Sequence, residues 1–198
     1  MSTLILASAS GVRARLLREA GVPFGVRPAN VDEDGAKRKF HAEGRSHEDL
    51  ADFLAELKAI SVSRTSPHAV VLGCDQVLSC EGKAFDKARN LEEARLTLAG
   101  LRGKAHTLIT SCVMSRDGKP FWQHQERAVL WMRAFSDAFL EDYVKDEGRS
   151  ILGSVGCYQY ESRGIQLFER VKGDFFAILG LPLVAVLAAL RHQGILSQ

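Results

Sequence analysis

The sequence predicts an α/β fold on three observations. Two continuous apolar runs, residues 4–7 and 69–74, have the length and the lack of alternation of strands buried on both faces. Other stretches place apolar residues at helical spacing, as Leu50, Phe53, Leu54 and Leu57 do at i, i+3, i+4 and i+7. Between residues 106 and 135 two stretches of strand formers flank the turn signal Arg116-Asp117-Gly118-Lys119-Pro120, which reads as a long antiparallel hairpin.

The first strand runs through Ser8, Ala9 and Ser10 into a helix marked by Leu16, Leu17 and Ala20 and stopped at Gly21, with Ser10 at the N-cap. The free N–H groups and partial positive charge of that helix start, with two hydroxyls and Arg13 beside them, outline an anion site. An ordinary capped turn with solvated arginines would read the same way, and no Walker or Rossmann glycine pattern is present. Residues 24–26 form a short strand leading through Pro28 into the acidic loop Val31-Asp32-Glu33-Asp34-Gly35. Residues 37–45 are polar without periodicity, which predicts a mobile, partly disordered surface connection.

Ser46 caps the helix with the 50–57 stripe, and Lys58 sits at the stripe's edge. Pro67 ends that pattern, and the strand at 69–74 delivers Asp75 and Gln76 at its carboxyl end, where α/β proteins keep their chemistry. Cys80-Glu81-Gly82-Lys83 resembles a hairpin turn, with Phe85-Asp86-Lys87 after it. Asn90 and Glu93 make a capping box for a helix carrying Leu91, Ala94, Leu98 and Leu101 and ending near Gly103. After the hairpin, Ser136 caps a helix packed through Phe139, Leu140, Tyr143 and Val144 that stops at Gly148. The glycines of loop 153–164 suggest backbone passing close to a ligand. A strand follows at 165–169, Gly173-Asp174 turns the chain, and Pro182 opens an apolar last helix ending at Gly194.

With 198 residues, 46% of them hydrophobic, the chain can bury a sizeable core and is expected to form one domain, 1–198. Its 26 basic and 24 acidic residues are interspersed, which argues against a nucleic-acid surface that works by charge and for a small-molecule substrate. Four cysteines, at 74, 80, 112 and 157, lack zinc spacing and are too few for a disulfide scaffold, so a reducing cytoplasm fits best. Cys74 and Cys157 read as small buried hydrophobes. No leader or long apolar segment supports export or a membrane location.

Six separated pieces, in order, resemble one family over nearly the whole length: the Maf-like nucleotide pyrophosphatases, also called septum-formation inhibitor proteins. They are residues 4–10 with Arg13, Leu16 and Leu17; Val31-Asp32-Glu33; Leu57-Lys58-Ala59; Gly73-Cys74-Asp75-Gln76-Val77; Lys87; and residues 164–169 with Gly173-Asp174 and Gly180-Leu181-Pro182-Leu183. Gln76, together with Glu161 ahead of Gly164-Ile165-Gln166-Leu167-Phe168-Glu169, is similar to the branch acting on 7-methyl-GTP rather than the branch associated with dTTP and UTP. The sequence departs from the family pattern at Gly11, where a proline is usual, at Ala14, where a second arginine is usual, around Gly153-Ser154, and at Ala88 after Lys87. Arg15 is no simple replacement for that arginine, because one position along a helix turns a side chain by roughly 100°. The resemblance implies an elongated mixed β-sheet flanked by helices, with two lobes and a central cleft, as in Maf and inosine triphosphatase-like folds, and a homodimer.

Hydrolysis of an α–β phosphoanhydride needs neutralised phosphate charge, an in-line water and a base. Glu33 and Asp75 are candidates to hold Mg²⁺ or Mn²⁺, with Asp75 also the candidate general base. Arg13, Lys58 and Lys87, with Ser8, Ser10 and the helix N-terminus, are candidates for the phosphates. Val12, Gln76, Glu161 and Tyr158 are candidates to select the base, Tyr158 by stacking. Each has a plainer reading: Lys58 as a snorkelling helix lysine, Glu33 as a solvated carboxylate, the loop tyrosines as core packing. A regulator that binds nucleotides without turnover is the competing class, motivated by Gly11 and Ala14.

Overall fold

The computed structural model describes residues 3–197. It is α/β, with strands β1 (Leu4–Leu6), β2 (Phe24–Val26), β3 (Val70–Cys80), β4 (Lys83–Phe85), β5 (Ala105–Arg116), β6 (Lys119–Met132) and β7 (Phe168–Lys172). The helices are α1 (Gly11–Glu19), α2 (Glu33–Ala42), α3 (His47–Ser63), α4 (Leu91–Leu101), α5 (Asp137–Glu147), α6 (Phe175–Ile178) and α7 (Leu183–His192). The sheet runs β2-β1-β3-β5-β6-β7, with β4 also paired to β3. β1 is parallel to β2 and β3, and the other pairings are antiparallel. No helix among the described residues is long and apolar enough to cross a membrane.

β3 is the axis of the molecule and extends beyond the apolar run that announces it. On one edge β5 pairs with it without a break from Val71↔Ser115 to Ser79↔Thr107. On the other edge β1 covers residues 70–72 and β4 covers 78–80, so that edge is open from Gly73 to Val77. Asp75 and Gln76 therefore lie mid-strand beside a gap, not past a strand end as the apolar run implied. The strand continues through these polar residues because β5 keeps its backbone paired and apolar side chains resume at Val77 and Leu78.

Alternation along β3 divides the core. Val70, Leu72 and Cys74 join a cluster with Leu16 and Leu17 of α1 and Val186 and Leu190 of α7. On the same face, Leu78 and Cys80 join a second cluster with α4, α5 and the end of β6. Two cores on one strand face make two lobes, with Gln76 between them. The opposite face carries α3, which comes close because Gly73 has no side chain: a Cβ there would stand 2.3 Å from the Ala55 carbonyl oxygen and 2.6 Å from the Ala59 nitrogen.

That close approach also decides which side of α3 is buried. Leu50, Ala51, Leu54, Ala55, Lys58, Ala59 and Val62 face inward, while Phe53 is 38% exposed. The buried stripe is thus rotated from the expected one, since small residues rather than the largest apolar ones allow the contact. Lys58 consequently lies within the buried face and not at its edge.

Residues 33–42, expected to belong to an acidic loop and a mobile connection, form α2. Asp32 Oδ1 accepts the Gly35 N–H at 2.8 Å at the helix start, and Phe40 is buried against Leu50 and Leu54. With a single large apolar side chain to anchor it, the helix leaves no periodic signal. The expected strand at 165–169 begins instead at Phe168, because residues 163–167 form a 3₁₀ turn that buries Gly164 and Leu167. The helix caps at Ser10, Ser46, Asn90 and Ser136 each accept a first-turn backbone N–H, as their sequences predict. All four cysteines are buried free thiols.

Candidate active site

The open edge of β3 is where Ser8, Ser10, Arg13, Glu33, Lys58 and Asp75 are brought together. From one side come the end of β1 and the start of α1. Ser10 Oγ accepts the Arg13 N–H at 3.3 Å, and buried Ser8 Oγ accepts the Ser10 N–H at 3.2 Å. Arg13 turns inward: its Nε donates to the Gly180 carbonyl at 2.7 Å, and its Nη1 donates to the Cys74 carbonyl at 2.9 Å and to Ser8 Oγ at 3.2 Å. An unpaired strand carbonyl thus finds its partner in a guanidinium. Arg13 Nη2 has no hydrogen-bond partner among the described residues and remains a donor. Gly180, at φ +94°, holds a conformation that favours glycine, and a Cβ there would stand 3.4 Å from Nε and Nη2.

From α2 and α3 come the charges. Lys58 Nζ donates to Asp75 Oδ1 at 2.7 Å and lies 2.9 Å from Glu33 Oε2, joining α2, α3 and β3 at one point. Lys58 and Asp75 are both buried, so each compensates a charge that would be costly alone. Lys87, just after β4, lies near enough to Arg13, Lys58, Glu33 and Asp75 to interact with their charges. Desolvation, followed by the like charges of Arg13 and Lys58, pushes its ammonium below the ordinary lysine range, with Glu33 and Asp75 acting in the opposite direction. The side chain is nevertheless exposed. Lys37, one turn after Glu33, is bonded to Asp86 at 2.6 Å. Desolvation opposes its charge, yet the hydrogen bond and charge of Asp86, with Asp75 and Glu33, hold its pKa above the ordinary value. Sequence reading missed Lys37, because only the unforeseen α2 brings it to the cleft.

The base-selecting candidates divide. Gln76 Nε2 donates to Thr110 Oγ1 at 2.8 Å and to the Ala177 and Ile178 carbonyls at 3.0 and 3.1 Å, so its amide nitrogen anchors α6. Asp174 caps that short helix by accepting the Ala177 N–H at 2.7 Å. Val12 packs half-buried against the first core, as does Ala14 beside it. Tyr158 is corrected: it is 5% exposed, its hydroxyl bonded to His106 Nε2 at 2.8 Å and its ring edge-on to Phe168, so it packs the second core and presents no face to a base. Ser154 fixes that buried turn, accepting the Tyr158 N–H at 3.0 Å and donating to the Tyr158 carbonyl at 2.9 Å. Glu161 lies at the loop surface with Arg15 Nη2 2.7 Å from its Oε1. No local pattern could have disclosed this pair, whose members are 146 positions apart.

Glu33 Oε2 and Asp75 Oδ1 converge on a single ammonium, so two carboxylates from different elements share one small volume. That donor set fits a hard divalent ion taking its remaining ligands from phosphate oxygens and water. Among the described residues no group of three or more His, Cys, Asp or Glu could hold a metal ion, so these two carboxylates do not by themselves form a closed metal site.

The chain is similar to known proteins over nearly its whole length. The family model described as Maf-like protein matches residues 3–193. A nucleoside triphosphate pyrophosphatase of Granulibacter bethesdensis is 51% identical over 97% of this chain and 98% of its own length. One of Caulobacter vibrioides is 47% identical over 100% and 98%. A 7-methyl-GTP pyrophosphatase of Brucella abortus is 44% identical over 96% of both chains.

Proposed function

The chain belongs to the family of Maf-like proteins, and on that premise we propose that it hydrolyses the α–β phosphoanhydride of a nucleoside triphosphate to the monophosphate and pyrophosphate, with 7-methyl-GTP preferred. The single observation that carries the reading is the convergence of Glu33, Lys58 and Asp75 at the open edge of β3, with Arg13 bonded to the Cys74 carbonyl on that edge and Lys87 near enough to interact with these charges.

In this reading Arg13 Nη2 and Lys87 grip non-bridging phosphate oxygens, helped by the start of α1. Lys58 holds Asp75 by Oδ1, leaving Oδ2 to accept a proton from the attacking water. Mg²⁺ or Mn²⁺ held by Glu33 and Asp75 would supply neutralisation of phosphate charge. Gln76 acts at one remove, by fixing α6 and the Gly180 carbonyl that Arg13 needs. Glu161 accepts the N1–H and 2-amino donors of a guanine edge, and the positive charge that N7-methylation adds strengthens that contact. The family resemblance supports a homodimer, which sedimentation of the purified protein tests.

Pyrophosphate release from 7-methyl-GTP, GTP, UTP and dTTP with Mg²⁺ or Mn²⁺ tests the proposal. Fastest turnover of 7-methyl-GTP is expected. A preference for UTP or dTTP would assign the chain to the other substrate class, and tight binding without turnover of any of the four would make it a regulator.

A further inference from the structure

Arg15 and Arg13 leave α1 in different directions, about 200° apart around the helix axis. Arg13 reaches the open edge of β3, whereas Arg15 crosses to loop 153–164 and pairs with Glu161 at 2.7 Å. The Glu161 side chain is 19% exposed and that of Arg15 44%, so the carboxylate is the sheltered member of the pair. Glu161 Oε2 has no hydrogen-bond partner among the described residues. The carboxylate is therefore held through one lone pair of Oε1, which leaves acceptor capacity on both oxygens.

We propose that Arg15 is a positioning residue: by fixing the Glu161 carboxylate it sets the discrimination of guanine-type bases against pyrimidines. The inference rests on the reading of Glu161 as acceptor of the base edge. Two parallel donors, N1–H and the 2-amino group, need an acceptor whose plane is already set, because a free glutamate must give up side-chain entropy on binding. Uracil presents one donor between two acceptors and gains little from a fixed carboxylate. Ala14 packs against the first core, and the neighbouring Arg15 reaches loop 153–164 and not the residues proposed for the phosphates.

Equilibrium binding of 7-methyl-GMP, GMP and UMP, measured by calorimetry, tests this without requiring turnover. The proteins compared are the parent, Arg15→Ala, Arg15→Lys, Glu161→Gln and the double variant Arg15→Ala/Glu161→Gln. Arg15→Ala is expected to weaken both guanine nucleotides about two- to fivefold, the range of a partly exposed ion pair, and to leave UMP unchanged. Arg15→Lys should recover part of the loss, and in the Glu161→Gln background Arg15→Ala should add nothing. Unchanged 7-methyl-GMP affinity in Arg15→Ala, an equal loss for UMP, or a loss that persists without the Glu161 carboxylate each overturns the proposal. Glu161→Gln with all three affinities unchanged removes Glu161 from the base and overturns both readings together. Failure of the parent to release pyrophosphate bears on the hydrolase reading alone.

Discussion

Gly73 and Ala55 approach so closely that a Cβ on the glycine would lie 2.3 Å from the alanine's carbonyl oxygen. Three residues beyond Ala55 on α3 is Lys58, and two residues beyond Gly73 on the same face of β3 is Asp75. The absence of one side chain thus sets the distance at which the 2.7 Å Lys58–Asp75 contact forms.

Gly73→Ala should therefore act at a distance from the charges it displaces. The added methyl meets helix backbone, which cannot rotate away, so we expect a loss of about 1–3 kcal/mol, visible as a lower melting temperature. Turnover should fall as Lys58 is carried off Asp75. An unchanged melting temperature would show that α3 is free to move outward.

Asp75→Asn removes the proposed base and half of the carboxylate pair while leaving Lys58 its contact with Glu33. Turnover of the best triphosphate should drop by about 100-fold or more, with the circular dichroism spectrum unchanged. Near-normal turnover would place the base elsewhere.

Gln76→Glu separates positioning from base contact. The amide nitrogen donates to two carbonyls, and an ionised carboxylate would face the same carbonyls with lone pairs. The new carboxyl should then bind its proton more tightly in the folded state than in the unfolded state. Its contribution to stability is present at low pH and is lost as pH rises through the folded-state pKa. Urea unfolding at pH 5 and pH 8 should show the variant losing ground to the parent at the higher pH, and a constant difference would argue against the α6 anchor.

His106 lies in the second core, where burial lowers its pKa from 6.5 to about 4. The unfolded chain takes up a proton near 6.5 and the folded chain does not. Stability is therefore full above that pH and falls as pH drops toward about 4, by an amount on the order of 3 kcal/mol. His106→Leu paired with Tyr158→Phe should flatten that slope in urea unfolding between pH 7 and pH 4.5. A slope of the parent's size would assign the acid sensitivity to other groups.

What the sequence determined by itself is whatever depends on near neighbours. The caps at Ser10, Ser46, Asn90 and Ser136 need only a side-chain oxygen and the backbone three residues on, and the β5–β6 hairpin needs only strand formers around Asp117-Gly118. The order of the motifs holding Ser8, Arg13, Glu33, Lys58, Asp75 and Lys87 was legible for the same reason, since each is a short local pattern. Tertiary structure alone decided the rest. β3 continues past Cys74 because β5 pairs it from a distant part of the chain, and the gap holding Asp75 exists because β1 and β4 are both too short to close that edge. α2 forms around one buried Phe40, and Tyr158 turns inward because a hydroxyl partner, His106, waits 52 positions away. Arg15 meets Glu161 across 146 positions. Local propensity cannot encode such pairs, because their energy is realised only after chain segments far apart in sequence have been brought together.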